Sequence, residues 1–156
     1  MAWSASKIFV TFIEDSLENT AAYDLGITPD SFKAALYDND ITPDNTVTTA
    51  NTVYNAGQWV AAGNEVSDGT EWDAGGEPLT GVTFAPTAAV LKFDAVDTPS
   101  GGSSATLANV FGCLVYDDTV ADRGLCYNYF GGTNSVTDGT FTVVWNSAGI
   151  FTLTLT

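Results

Sequence analysis

The cleanest alternation of apolar and polar positions lies at the end of the chain. In residues 140–145, Phe141, Val143 and Trp145 share one side. In residues 150–155, Phe151, Leu153 and Leu155 share one side, while Thr152 and Thr154 point the other way. A period of two marks strands with one buried face. Asn146-Ser147-Ala148-Gly149 between them has the length and closing glycine of a four-residue turn, so residues 140–155 predict a hairpin. A longer hairpin is predicted at 107–130, LANVFGCLVYDDTVADRGLCYNYF, where two apolar, aromatic-rich runs flank a polar loop. Its Asp117-Asp118 loop is expected to face solvent, and Gly131-Gly132 to break the chain after it. These four strands predict an antiparallel sheet with one wet face. A single sheet cannot bury itself, so earlier strands are expected to cover it.

The first half is less regular. Residues 7–13, KIFVTFI, alternate and are rich in β-formers, which predicts a first strand, followed by an acidic loop with at most a helical turn up to Gly26. Residues 31–37 have two competing readings. Thr28-Pro29-Asp30 resembles a helix start, but the run is short and stops at Asp38-Asn39-Asp40, which favours a strand. Val47, Ala50, Val53 and Tyr54 have helix-like spacing, capped by Asp44 or Asn45 and stopped by Gly57, although threonines weaken this helix. Residues 81–84 and 88–93 predict two strands, the first kept short by Pro86. Residues 94–106 predict a loop. The whole predicts an all-β, mainly antiparallel fold: a β-sandwich, immunoglobulin-like or jelly-roll-like, with at most one or two short helices. Residues 1–156 are expected to form a single domain, with 1–6 a loose or interface arm whose Trp3 is exposed or docked on a neighbour.

Composition narrows the function. Nineteen acidic residues stand against 4 basic ones with no His, a net charge of −15. Nucleic acid and anionic lipid are bound through basic groups, so neither is an expected partner; neutral or basic surfaces and cations are. The same charge also serves solubility alone. No apolar run reaches membrane-spanning length, and MAWSASKIFVTF lacks the pattern of a signal peptide, so synthesis in a cytoplasm is expected.

Candidate chemistry is sparse. Without His there is no His-based triad, proton shuttle or metal ligand. Ser103 and Ser104 sit in a Gly-Ser loop without a base nearby in sequence. Cys113 and Cys126 fit either two buried thiols or, if Tyr116 opposes Arg123, a cross-strand disulfide; their spacing matches no zinc pattern. Glu65, Glu71, Asp73 and Glu77 lie near Trp59 and Trp72, which suits a glycosidase pair, but nineteen acids make such coincidences common. Asp38-Asn39-Asp40 with Asp44, and Asp117-Asp118 with Asp122, supply oxygen ligands at close spacing without the pattern of a calcium loop. Solvated turn carboxylates are the simpler reading of both. Trp59, Trp72, Trp145, Tyr127 and Tyr129 are either core or interface anchors. Phe130 beside Gly131-Gly132 and Trp72 beside Gly75-Gly76 are expected to be exposed. No catalytic, cofactor or metal residue is assigned.

Five strings carry a resemblance: ALYDNDITPD, YNAGQW, EWDAGGEPLTG, LANVFGCLVYDDT and the terminal TDGTFTVVWNSAGIFTLTL. Together they resemble small virion-associated proteins of tailed phages infecting actinobacteria, over most of the chain after about residue 30. The resemblance implies a structural role without catalysis and transfers no site residues. It implies a head decoration or minor capsid protein located on the virion, bound to the phage major capsid protein and assembled as a homo-oligomer, a trimer or larger ring at a capsid axis. The other class it allows is a tail or baseplate module that binds host-surface carbohydrate through Trp-lined loops.

Overall fold

The computed structural model describes residues 3–26 and 28–156. The fold is all-β and sandwich-like, with antiparallel strand pairing throughout. Its strands, in chain order, are β1 (Lys7–Ile8), β2 (Phe32–Tyr37), β3 (Glu77–Pro78), β4 (Thr83–Thr87), β5 (Val90–Asp94), β6 (Thr98–Pro99), β7 (Ala105–Asp117), β8 (Arg123–Gly139), β9 (Thr142–Val143) and β10 (Phe151–Thr154). One α-helix, α1, spans Val10–Glu18. A five-stranded sheet runs β1-β8-β7-β2-β3, a three-stranded sheet β10-β5-β4, and β6 pairs with β9 alone. Aromatic side chains join the two larger sheets. Phe93 of β5 meets Phe32 of β2 edge-on at 5.3 Å and stacks on Phe151 of β10 at 5.0 Å, and Phe151 in turn meets Phe12 of α1.

The strand expected over residues 7–13 is confined to Lys7 and Ile8, which pair with Tyr127 and Cys126. From Val10 the chain is helical. The same residues satisfy both periods. As a helix, Phe9 and Phe12 fall three apart on one face and are buried, and the EDSLE run that follows contains good helix formers. Asn19, in the left-handed region, ends the helix by donating its N–H to the Asp15 carbonyl. The Asp15 carboxylate accepts from Arg123 of β8 at 3.3 Å and from Thr49 Oγ1 at 3.1 Å, so α1 is pinned to the sheet from its inner side.

β2 takes the strand reading, with every side chain but Lys33 buried, because β7 and β3 flank it. The helix expected after Asp44 is replaced by two 3-10 turns, Thr49–Asn51 and Gly57–Trp59. Asn55 and Gly57 both lie in the left-handed region, which no α-helix tolerates. β4 runs through Pro86 without interruption, since it is an edge strand and the missing N–H faces away from its partner β5. The loop expected over 94–106 contains the short β6.

The long hairpin is present as β7 and β8, in a different register. Asp117 opposes Arg123 and Tyr116 opposes Gly124, but Val115 opposes Cys126, so Leu125 is an extra residue and the partner of Cys113 is Asn128. The cysteines are out of opposition from the loop onward, because Tyr116 faces Gly124 and not Arg123, and the bulge shifts them one residue further; both are free, buried thiols. Gly131-Gly132 do not end the strand; they form a second bulge within β8, which continues to Gly139.

The predicted final hairpin does not pair with itself. The turn forms, with Gly149 N–H donating to Asn146 at 2.7 Å, and Val143, Trp145 and Phe151 are buried as their alternation requires. Yet β9 pairs with β6, and β10 pairs with β5 through Phe151–Phe93. The second half is therefore not one four-stranded sheet. Trp3 is not exposed: it is 5% accessible, its indole donates to the Asp38 carbonyl at 2.6 Å, and its ring packs on Trp59 and Tyr129. Of the arm at 1–6, Met1 and Ala2 lie outside the described residues.

Candidate functional site

Of the acidic residues singled out from sequence, Glu65, Glu71 and Glu77 are each bound to backbone or hydroxyl donors. Glu65 accepts from the Tyr54 hydroxyl at 2.8 Å and from the Gly75 N–H at 2.7 Å. Glu71 accepts from Ser104 Oγ at 2.9 Å, and Glu77 from the Asp73 N–H at 3.2 Å. Trp59 and Trp72, the proposed sugar platforms beside them, are fully buried, so they cannot stack on a ligand. Trp59 sits at the centre of a cage of Trp3, Phe9, Tyr37 and Tyr127, and Trp72 packs edge-on against Phe141. Trp72, expected to be exposed beside its glycines, is thus core; the turn places the ring inward because the 68–72 backbone is tied to β7. Trp145 is also buried, its indole donating to Thr98 Oγ1 at 3.2 Å.

The tie is Asp68, which sequence reading passed over. Its Oδ1 accepts the N–H groups of Thr70, Glu71 and Trp72, and its Oδ2 accepts that of Thr106 at the start of β7. Four backbone donors on one carboxylate hold it ionised, far below the usual carboxylate range. An Asp-Gly dipeptide is by itself a turn signal; its long-range partner Thr106 has no such local mark.

Neither of the two carboxylate clusters weighed for calcium gathers its oxygens into a cation site. Asp38 caps the Asp40 N–H at 2.9 Å, and Asp44 binds the N–H and hydroxyl of Thr46. Among the described residues, no group of three or more Asp, Glu, His or Cys is placed to hold a metal ion. Asp118 pairs with Lys33 at 3.0 Å. Asp117, expected to face solvent, is fully buried. Its Oδ1 accepts the N–H groups of Thr119 and Val120, and its Oδ2, which meets no donor, lies against the Asp30 carboxyl. Burial is the main cause that lifts its pKa to about 6, with Asp30 adding to it. Folding therefore favours the protonated form of Asp117.

The outward side of α1 is different in character. Val10, Ile13 and Leu17 recur at helical spacing, with Val10 53% and Leu17 81% exposed. With Ile8 and Leu153 they line a shallow groove of about 500 Å³, in which Glu14 is the one charged lining residue. Leu155, 69% exposed, follows β10. Around it the protein offers little positive charge. Of the four basic side chains, Lys33, Lys92 and Arg123 are each in an ion pair with an aspartate. The signal for this face was the Val10, Ile13, Leu17 spacing, hidden because residues 7–13 also alternate.

Comparison of the chain with family models, with curated proteins and with solved structures finds no match in any of the three.

Proposed function

We propose that the protein is a non-enzymatic virion structural protein of a tailed phage, a decoration or minor capsid protein. It binds the outer surface of the major capsid shell and coats or reinforces it. The observation that carries the reading is the apolar groove of α1 and β10 on an otherwise acidic surface. A face where Val10 and Leu17 are held toward water by a helix pinned from behind suits docking rather than catalysis. The occupant is a segment of the major capsid protein that presents apolar side chains flanked by Lys or Arg. Net charge of −15 disfavours another copy of this chain in that groove and favours a basic partner. Copies would sit around a symmetry axis of the shell, each making the same contact. The acidic outer surface would keep the copies soluble and away from the packaged DNA.

The test is co-sedimentation with undecorated shells of the capsid protein encoded alongside this chain. The intact protein is expected to bind, more tightly as salt is lowered. Leu17→Asp, at an exposed position, is expected to weaken binding about tenfold or more without loss of fold. Absence of binding at both low and high salt, or a particle map placing the chain on the tail, would overturn the proposal.

A further inference from the structure

A second concavity lies away from α1, where β8 passes β9. Between two paired positions, β8 advances from Tyr129 to Asn134 while β7 goes only from Gly112 to Val110. The excess residues form the Gly131-Gly132 bulge. Gly131 has φ +81, and a side chain there would meet nothing within 4 Å. The glycine is therefore required by the backbone conformation and not by neighbouring atoms. Asn134 fixes the bulge from inside, donating Nδ2 to Gly132 O at 3.0 Å and to Val110 O at 3.4 Å. A bulge held this way re-aims the side chain beside it. Here it sets Phe130 at the wall of a cleft of about 380 Å³, opposite Phe141 and Thr142, with Tyr129 at its edge. Tyr129 is in turn braced by stacking on Trp3, with rings 6.4 Å apart and nearly parallel.

A further hollow of about 230 Å³ shares Tyr129 and Phe130 with this cleft and extends it to the amides of Asn128 and Asn146. None of the residues lining either hollow is charged, in a chain with 19 acidic and 4 basic residues. An uncharged lining of aromatic rings, amides and hydroxyls matches a ligand with apolar C–H faces and many neutral hydroxyls. Rings pack on the C–H faces. Asn134 Oδ1 and Asn146 Nδ2, the amide atoms not used in bonds to Gly132, Val110 and Ala148, exchange hydrogen bonds with the ligand together with the Thr142 hydroxyl in the lining. The volume falls in the range of small-molecule sites, roughly 300–1,000 Å³, and the two lobes suit more than one ring. We propose that this bulge-built cleft binds neutral carbohydrate, as two or more linked hexose units. The site is separate from the α1 groove and does not depend on it.

The experiment is saturation-transfer NMR of the full chain with panels of neutral gluco-, manno- and galacto-oligosaccharides, and with sialylated and uronate-containing oligosaccharides in parallel. At least one neutral series is expected to give transfer, and the acidic panel none. Two variants locate the site. Phe130→Ala removes a wall, and Val144→Trp, at a cleft-lining residue that is 71% exposed, fills the cleft from outside without touching the core. Each is expected to weaken binding about tenfold or more, whereas Leu17→Asp leaves it unchanged. The proposal is overturned if no neutral oligosaccharide binds, if only acidic ones do, or if binding survives Val144→Trp in a folded protein.

Discussion

Replacing Asp117 by asparagine should flatten the pH dependence of stability on the alkaline side. Asp117 is fully buried, and its pKa is raised from 3.8 to about 6, first by burial and then by Asp30. Tyr23, Asp30, the Arg123–Asp15 pair and the Lys33–Asp118 pair are ionisable groups around this end of β2 and β7, with Asp122 next to Asp118. A raised carboxyl pKa means that the folded state holds the proton more tightly than the unfolded chain. The contribution to stability is thus complete below the unfolded pKa and is lost as pH rises through about 6. For one site, the loss relative to the protonated form is about 1.6 kcal/mol at about pH 5 and about 3 kcal/mol at about pH 8, a further change of about 1.4 kcal/mol. Asparagine keeps the Oδ1 acceptor for Thr119 and Val120 and is neutral at every pH, as the buried position favours. Urea unfolding of both proteins at these two pH values, above the pI of about 4.1, reads the difference. Asp38 and Asp122 shift in the same direction and Asp44 and Asp68 in the opposite one, but all four are common to both proteins and cancel. The variant should gain about 1.4 kcal/mol on the wild type between the two pH values. Parallel stabilities, or a relative loss at the higher pH, would refute the account of a buried carboxyl that folding keeps protonated.

Two further outcomes follow from the core. Both cysteines are free and buried, and burial raises both thiol pKa values, so a thiol-specific reagent should leave the native protein unlabelled and modify both residues once it is unfolded. Rapid labelling of native protein would contradict their placement. At Gly112 an added methyl would meet the Asn128 carbonyl oxygen of β8 and come 2.6 Å from the Trp3 ring, and Gly112→Ala is expected to cost about 1–3 kcal/mol, measured by urea unfolding. A smaller cost would mean that β8 and Trp3 do not close on Gly112 as they do here.

Sequence alone determined which faces are wet and which are dry. The alternation of Phe141, Val143 and Trp145, and of Phe151 against Thr152 and Thr154, reads directly into burial. It also determined that 107–130 turns back on itself, and it favoured a strand over a helix at 31–37. These are local properties: side-chain period and turn chemistry act over a few residues. Partner choice is not local. β9 and β10 each have a good apolar face, and that face does not specify which strand supplies the opposing one; Pro99-Thr98 and Phe93 do so only once the chain has folded around them. Register behaves likewise, since the pairing of Tyr116 with Gly124 and the extra residue Leu125 each put the two cysteines one residue further out of opposition, and no spacing rule announces either.

The surfaces argued to carry function were legible only in part. The helical spacing of Val10, Ile13 and Leu17 was present in the sequence, but residues 7–13 satisfy both a two-residue and a 3.6-residue period over so short a run. Packing of Phe9 and Phe12 and the pinning of Asp15 by Arg123 decided between them, and so decided that Leu17 faces water. Gly131-Gly132 was visible as an interruption. That it is a bulge within a continuous strand, walling a cleft with Phe130, depends on hydrogen bonds from Asn134 to two carbonyls, one of them on the neighbouring strand. Short-range pattern thus determines the kind of element formed, while the position of a site is decided by contacts between residues far apart in the chain.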